Sequence, residues 1–174
     1  MPAEPWTPNL TWLGRDLAVG GRFPADRIPD LADRIGVAAV IDLRAEDRDD
    51  EALLARHGIA FLHCPTDDHG ALGPDAIAAG LAFAARAAAE DRRLLVHCEH
   101  GIGRSATLAL CILVERGADP LAALSAAKDL RPVFSPSPAQ YEGWAAWLRT
   151  HPARPAVPDF DSFKAIAYRH LGPC

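Results

Sequence analysis

Residues 93–114 read RLLVHCEHGIGRSATLALCILV and contain a polar, glycine-containing segment between two apolar runs. The apolar run of residues 93–97 has the length and composition of a β-strand, and that of residues 106–114 is rich in helix formers. The residues between the two runs therefore form a turn from a strand into a helix. Because the first N–H groups of a helix lack intrahelical partners and lie at its positive end, this turn is suited to bind an anion.

Two side chains of the turn have chemistry that suits a phosphate group. Cys98 and Arg104 enclose a loop that contains Gly101 and Gly103. Glycine allows positive φ and a close approach of the backbone to a ligand, and a guanidinium forms two parallel hydrogen bonds to phosphate oxygens. In this positive field Cys98 is expected to be a thiolate nucleophile at neutral pH. The alternative is a buried structural thiol, because free cysteine is among the most buried residue types.

The motif His97-Cys98-x5-Arg104-Ser105 resembles the signature of the cysteine-dependent protein tyrosine and dual-specificity phosphatases. The resemblance implies a two-step hydrolysis of phosphate monoesters that needs no cofactor and no metal. Cys98 would attack phosphorus, and the Ser105 hydroxyl would stabilise the thiolate when it departs. His97 would orient the loop through hydrogen bonds, or simply end the strand. The resemblance assigns phosphate binding to Glu99, His100, Gly101, Ile102, Gly103 and Arg104.

The resembling families also use a loop aspartate about thirty residues before the cysteine, as the acid that protonates the leaving oxygen. The loop of residues 64–70, CPTDDHG, lies at this distance. Aligning Pro65 with the first proline of the families' Pro-x-Pro-Asp pattern makes Asp68 the general acid. Asp67, which stands where the second proline is common, is the alternative. Both could instead be ordinary turn residues.

Composition and charge fit one globular domain. The chain has 174 residues, 49% of them hydrophobic, and its net charge of −5 gives no electrostatic case for binding nucleic acid. No apolar run approaches the roughly 20 residues of a spanning helix. Irregularly spaced cysteines and an N-terminus without a signal-peptide pattern favour a reducing cytoplasm. The protein is expected to be a monomer. Its expected partner is a phosphorylated protein or a small phosphate ester, and phosphate-like oxyanions are expected to inhibit it.

The order of the apolar patterns predicts an α/β fold. Alternating strands and helices favour a mainly parallel central sheet of about four to five strands with helices on both faces, as in protein tyrosine phosphatases. Strands are predicted at residues 10–13, 17–19, 37–43, 59–64 and 93–97, and helices at 25–35, 48–57, 74–90, 106–114, 120–130, 138–148 and 161–170. Residues 1–150 form the expected phosphatase domain, and residues 151–174 a proline-containing linker and a short helix that docks or moves freely.

Some residues outside the motif receive a structural interpretation. Gln140 resembles a glutamine of many relatives, yet it is expected to be a solvated helix residue. Arg131 is expected in a structural ion pair, and Tyr141 and Trp144 in the core.

A second cysteine, Cys64, lies at the start of the loop of residues 64–70, the acid loop. Cys64 ends a strand that is expected beside that of Cys98, so a disulfide that protects the thiolate from over-oxidation is one hypothesis. The alternative is an inert Cys64 in the core.

Three other classes of function fit these residues less well. A rhodanese-type sulfurtransferase also carries its cysteine on a strand-to-helix loop but needs no upstream aspartate. A non-catalytic phosphate-binding module would normally have lost the cysteine, the arginine or the acid. A metal-binding protein is the third class. The candidate ligands for a metal lack the spacing that metal sites usually have; they are His63, Cys64, His97, Cys98 and His100. Glu99 disfavours polyphosphorylated lipids, while phosphotyrosine, phosphoserine or phosphothreonine and non-protein esters stay open as substrates.

Overall fold

Five strands form one sheet in the computed structural model, which describes residues 5–172. They are β1 (Leu10–Trp12), β2 (Leu17–Gly20), β3 (Ala39–Arg44), β4 (Ala60–Thr66) and β5 (Leu94–His97). Their order in the sheet is β1-β2-β5-β3-β4. β1 pairs with β2 antiparallel and every other pair is parallel, so the carboxyl ends of the parallel strands meet at one edge. Sheets of this kind bind their ligands at that edge.

Helices cover both faces of the sheet. The first helical segment, α1, runs from a 3-10 turn (Ala25–Arg27) through one α turn (Ile28–Asp30) into a π turn (Leu31–Ile35). The others are α2 (Glu51–Arg56), α3 (Pro74–Ala89), α4 (Arg104–Glu115), α5 (Pro120–Leu130), α6 (Pro138–Thr150) and α7 (Phe160–Ala167), followed by a 3-10 turn (Arg169–Leu171). Within residues 5–172, no helix has the length and apolar character needed to cross a bilayer.

The helix boundaries follow capping chemistry. Four helices begin after a side chain that accepts a hydrogen bond from the N–H of the first turn: Asp50, Asp119, Ser137 and Asp159. The cap at Asp50 explains why α2 starts at Glu51, three residues later than the sequence predicts. Gly36 adopts φ 83° and ends α1, as a residue without a side chain can do at no steric cost.

The site-bearing strand β5 lies between β2 and β3, with Leu94, Leu95 and Val96 at most 1% exposed. On one face of the sheet, Val96 belongs to the core formed with α3 to α7. On the other face, Leu95 packs in a smaller core formed with α1 and α2. The predicted α/β fold with helices on both faces is confirmed, and α4 is buried on nearly all sides, as its apolar sequence predicts.

One expectation about strand neighbours is wrong. β3 lies between β4 and β5, so the strand that ends near Cys64 is not beside the one that precedes Cys98. Apolar patterns show which segments are strands, but in a parallel sheet they do not show the order of the strands. The hypothesis of a Cys64–Cys98 disulfide stays a prediction, and both thiols are free and buried.

The C-terminal helix α7 docks on the rest of the fold. Its side chains Phe163 and Ala167 are fully buried, and the Tyr141 hydroxyl donates a hydrogen bond to the Pro158 carbonyl just before the helix, at 2.7 Å. Tyr141 and Trp144 lie in the core, as predicted. The expected domain boundary at residue 150 stays a prediction, and residues 1–4 and 173–174 lie outside the described residues.

Candidate active site

The loop from Cys98 to Gly103 leads from the carboxyl end of β5 into the first turn of α4. The N–H of Cys98 donates to the Gly20 carbonyl at the end of β2, at 3.3 Å, which fixes the start of the loop to the sheet. The Cys98 side chain is 3% exposed, and its Sγ lies 3.3 Å from the Ser105 Oγ in α4. The predicted strand, turn and helix therefore place the thiol and this hydroxyl in hydrogen-bond contact.

The backbone of this loop presents N–H groups that the fold does not use. Among the described residues, no backbone carbonyl accepts a hydrogen bond from the N–H groups of residues 99–103. Gly101 adopts φ 71°, the left-handed conformation that turns the chain within the loop. A row of N–H groups at the start of a helix is a binding site for an anion.

Both glycines of the loop are required by close contacts. A Cβ on Gly101 would lie 2.5 Å from the Gly20 carbonyl carbon, and one on Gly103 would lie 2.5 Å from the Gln140 Oε1. The Gln140 side chain is 1% exposed, so the expectation of a solvated residue is wrong. Gln140 faces inward because its Oε1 accepts the N–H of Ser137 in a capping box at the start of α6, at 2.8 Å.

Arg131 holds the loop from its outer side. Its Nε donates to the Gly101 carbonyl at 2.8 Å, and its Nη2 to the His100 carbonyl at 3.2 Å. The same guanidinium donates to Asn9 Oδ1 at 2.8 Å and to Thr11 Oγ1 at 3.1 Å. Arg131 is structural, as expected, but its partners are neutral acceptors and the expected ion pair is absent among the described residues. Because the His100 and Gly101 carbonyls point at Arg131, the N–H groups of the same two peptide bonds, those of Gly101 and Ile102, point away from it.

Arg104, at the end of the loop, is fixed by a carboxylate that the sequence did not reveal. Its Nη1 and Nη2 each donate to Glu46 at 2.7 Å, and its Nη1 also donates to the Thr66 carbonyl at 2.9 Å. The hydrogen bonds from Arg104 lower the pKa of Glu46 to about 2, and the bonds to Glu46 raise the pKa of Arg104. The Arg104 Nε is buried and has no partner among the described residues. One N–H of the fork therefore remains to bind a ligand.

The two candidate acids lie in different places. Asp68 lines a cleft of about 350 Å³ that Cys98 and Arg104 also line, and its Oδ1 is 3.4 Å from the Arg104 Nη2. Asp67 is exposed, lines a separate depression, and its carbonyl accepts the N–H of Gly70 in a turn. The geometry therefore favours Asp68. The cleft is also lined by His69, His100, Ile102, Gly103, Ser135, Ser137, Pro138, Gln140 and Tyr168.

A buried charged network supports the loop from below. His97 Nε2 lies 2.7 Å from Asp49 Oδ2, and His97 Nδ1 lies 3.2 Å from the Cys98 carbonyl. Arg44 donates to Asp42 at 2.9 and 3.0 Å and to Asp49 at 2.8 Å. Burial alone would raise the pKa of Asp42, but the hydrogen bonds from Arg44 and the nearby His97 outweigh this and lower it. His97 therefore both ends β5 and contacts the loop.

The candidate metal ligands are not brought together as a site. His63 Nε2 contacts the Arg44 carbonyl at 2.7 Å, and the ring of His97 is occupied by Asp49 and the Cys98 carbonyl. Among the described residues, Asp42, Asp49 and His97 do bring three potential ligand atoms within 4.8 Å of one another. The guanidinium of Arg44 forms ion pairs with both Asp42 and Asp49, so the group is an ion-pair network.

The other described cysteines differ from Cys98 in their surroundings. Burial raises the pKa of the Cys64 thiol, and it raises the pKa of Cys111, inside α4, much further. Neither thiol lines the cleft. Burial of this kind disfavours the thiolate, so both are suited to the core. Cys174 lies outside the described residues.

Residues 22–118, more than half of the chain, match the family Tc-R-P, described as polymorphic toxin system, DSP-PTPase phosphatase. The chain belongs to this family. The phosphatase is a cysteine-dependent phosphomonoester hydrolase of the protein tyrosine and dual-specificity class, and the resemblance drawn from the motif at Cys98 is confirmed. A phosphatase of a non-protein phosphate ester is also compatible with these findings, and neither that alternative nor a sulfurtransferase explains them better.

Solved structures of phosphatases share the fold. Tk-PTP in its active form is 23% identical, with a TM-score of 0.71 over 78% of this chain and 93% of its own. PTPMT1 in complex with PI(5)P is 20% identical, with a TM-score of 0.73 over 93% of this chain and 99% of its own. Human DUSP28 is 25% identical, with a TM-score of 0.67 over 83% of this chain and 96% of its own. A comparison with curated proteins gives no match.

Proposed function

We propose that the phosphatase hydrolyses phosphate monoesters through a cysteinyl-phosphate on Cys98. The thiolate attacks phosphorus in line, so an S–P bond forms while the P–O bond to the ester oxygen breaks. Asp68 gives its proton to the departing oxygen. Water then attacks phosphorus, Asp68 takes a proton from the water, and the S–P bond breaks to release phosphate.

The loop supplies the electrostatic part of this reaction. Residues 99–103 offer N–H groups without backbone partners, and the Arg104 Nε–H is buried without one among the described residues. These donors bind the equatorial oxygens, where charge is concentrated in the transition state. Ser105, with its Oγ 3.3 Å from the Cys98 Sγ, donates to the thiolate as it departs. Because Glu46 fixes Arg104 and Arg131 fixes the carbonyls, the donors need little reorganisation.

One observation carries the proposal. Cys98, Arg104 and Asp68 line one cleft, and His100, Ile102 and Gly103, whose N–H groups have no backbone partner among the described residues, line it as well. A nucleophile, an oxyanion site and an acid are the three groups that phosphoryl transfer to a thiol needs.

The cleft favours a substrate with a single phosphate group. Among the described residues that line it, Arg104 is the one arginine and there is no lysine, and Glu46 and Asp68 both lie against Arg104. PTPMT1, which shares the fold, is known in complex with PI(5)P. A second phosphate on an inositol ring would need further cations at the rim, so a monophosphate of a protein or small molecule fits this cleft better.

We also propose that the enzyme works as a monomer in a reducing compartment, as the cytoplasm is. The three described cysteines are free, and a thiolate nucleophile is active only while it stays reduced.

The test compares Cys98→Ser and Arg104→Lys with a control, Cys111→Ala, that removes a buried thiol away from the cleft. Cys98→Ser should abolish turnover of a phosphate monoester and still bind inorganic phosphate, because the loop donors remain. Arg104→Lys should lose at least about a hundredfold in kcat/KM, since one ammonium cannot replace the fork. The control should keep its turnover. Steady-state hydrolysis by a verified Cys98→Ser protein would overturn the assignment of the nucleophile.

A further inference from the structure

The end of α7 and the turn after it reach the mouth of the cleft. Tyr168, the residue after the helix, lines the same cleft as Cys98 and Arg104. It lies outside residues 22–118, the part of the chain that matches the family. The wall of the cleft at this point is therefore supplied by a segment that the family match does not include.

Aromatic packing fixes the ring of Tyr168 in place. The ring centroid is 6.4 Å from that of Phe160 and 6.2 Å from that of Phe163, both in edge-to-face contact. Phe163 is itself fully buried against Tyr141 and Trp144, at centroid distances of 4.9 and 5.9 Å. Tyr168 is half-buried, and it is one of the residues that line the cleft.

Hydrogen bonds tie the same segment to the loop that precedes α6. The Tyr168 hydroxyl donates to the Pro136 carbonyl at 2.7 Å, and the Ser135 hydroxyl lies 3.1 Å from the Ala167 carbonyl. The ammonium of Lys128, 1% exposed, contacts Ser135 Oγ at 3.1 Å and His170 Nδ1 at 2.8 Å. The turn after α7 is thus held on both sides of Tyr168.

Ser135 also contacts the loop of residues 98–103, which is proposed to bind phosphate. Its N–H donates to the Ile102 carbonyl at 2.8 Å. Ile102 is 40% exposed and lines the cleft together with Tyr168. A rigid path of two hydrogen bonds, both through Ser135, therefore sets the position of the Tyr168 segment relative to the loop that binds phosphate.

We propose that Tyr168 is a specificity-determining residue, whose ring forms the wall on which the ester group of the substrate stacks, so that aryl phosphates are preferred over alkyl phosphates. This proposal rests on the proposed function of the cleft and names the class of ester that it takes. The ring carries a quadrupole that favours a second aromatic ring in an offset or edge-to-face position. A saturated group gains no such aromatic interaction energy. Ile102 and Pro138 add apolar surface to the same cleft without an aromatic face.

The chemistry of the attack is the same for both classes of ester, so the effect lies in binding. A contact with the ester group that is present before and during the reaction raises KM when it is lost and changes kcat little. The aromatic preference of one such pair corresponds to roughly a 2- to 10-fold difference in kcat/KM. If Tyr168 had a purely structural role, its replacement would lower kcat/KM equally for both classes of ester.

The test measures kcat and KM for phenyl phosphate and for a fluorinated alkyl phosphate whose alcohol is as acidic as phenol. Tyr168→Leu removes the ring and keeps apolar bulk, and Tyr168→Phe keeps the ring and removes the bond to Pro136. Leu171→Ala, at a side chain that is 70% exposed beyond the helix, is the matched control. We expect Tyr168→Leu to lose the aryl preference through KM, whereas Tyr168→Phe and Leu171→Ala keep it.

Two results would overturn the proposal while the phosphatase remains active. One is a ratio of aryl to alkyl kcat/KM that is unchanged in Tyr168→Leu. The other is a ratio that falls in Tyr168→Phe as much as it falls in Tyr168→Leu. If Tyr168→Leu does not fold, the wild-type protein decides: phenylphosphonate should inhibit it more strongly than cyclohexylphosphonate, and equal inhibition would reject an aromatic wall. A wild-type protein that hydrolyses neither ester contradicts the proposed function itself.

Discussion

Both carboxylate oxygens of Glu46 accept hydrogen bonds from the guanidinium of Arg104, each at 2.7 Å. This contact joins the loop after β3 to the first residue of α4. The contact uses both Nη atoms of Arg104 and leaves its Nε–H to bind a ligand. Glu46 is 44% exposed, so its value to the protein lies in orienting Arg104 more than in stability.

Replacing Glu46 tests this role. Glu46→Gln keeps the size of the side chain but loses one acceptor and the charge, so we expect kcat/KM to fall about tenfold to a hundredfold while the melting temperature changes little. Steady-state kinetics with a phosphate monoester gives the measurement. Glu51→Gln, which breaks an exposed ion pair with Arg48, is the control and should keep wild-type activity.

The same variant makes a prediction about pH. Arg104 lowers the pKa of Glu46 to about 2 from an ordinary value of 4.5. The ion pair is therefore complete above the ordinary value and is lost only as the pH falls through about 2. We expect the ratio of wild-type to Glu46→Gln kcat/KM to be constant from pH 5 to pH 8. A ratio that falls toward 1 at pH 5 would show that Glu46 is protonated there.

The two aspartates of the acid loop can be separated by leaving-group chemistry. Asp68→Asn removes the proton donor in the cleft and should lower kcat by roughly 10²–10⁴ for an alkyl or tyrosyl ester, with a smaller loss for very acidic leaving groups. Asp67→Asn, in the neighbouring turn, is the matched control and should cost much less. A phenyl phosphate series of graded leaving-group pKa measures the difference. A stronger leaving-group dependence for Asp67→Asn would reverse the assignment.

Asp49 stabilises the fold beneath the loop. Its side chain is 5% exposed and contacts both His97 and Arg44, at 2.7 and 2.8 Å. Asp49→Asn removes a carboxylate that pairs with the buried Arg44 and contacts His97, so we expect a loss of about 3 kcal/mol in the free energy of unfolding, measured by urea denaturation. Asp50→Asn, next in the chain, should cost less than about 0.5 kcal/mol because asparagine caps a helix as well as aspartate does. Equal losses would contradict the network.

Gly101 is predicted to tolerate no side chain. In Gly101→Ala the new Cβ would lie 2.5 Å from both the Gly20 carbonyl carbon and the Arg131 Nη2, at a φ of 71°. The left-handed conformation alone costs an alanine about 1–2 kcal/mol, and the overlap forces the loop away from Arg131. We expect a lower melting temperature and weaker binding of inorganic phosphate, measured by calorimetry. Gly14→Ala, with no atom within 4 Å of its Cβ, should change neither.

The sequence was informative where structure and chemistry are local. Residues 93–114 contain a strand, a loop and a helix next to one another, so the positions of Cys98, Arg104 and Ser105 could be predicted from their spacing. Asp68 could be found only because a resemblance supplied its distance from the cysteine.

Contacts between distant segments could not be predicted in this way. Glu46 lies in a charged stretch before a predicted helix and Asp49 in the first turn of that predicted helix, and only the fold brings them to Arg104 and His97. Gln140 is expected to be a solvated helix residue, but a capping box turns its side chain inward. Sequence patterns of this kind identify elements and do not give the distances between them.

The position of β5 has a consequence for how the chain folds. β2 pairs with β5 on one side and β3 pairs with it on the other, so the four strands that precede β5 cannot form one sheet by themselves. The platform of the loop forms only after residues 94–97 have been inserted between two segments synthesised much earlier. Contacts of such long sequence separation slow folding, and until then the apolar edges of β2 and β3 stay open to association with other chains. The strand that leads into the loop of the nucleophile is therefore also the strand whose insertion completes the sheet.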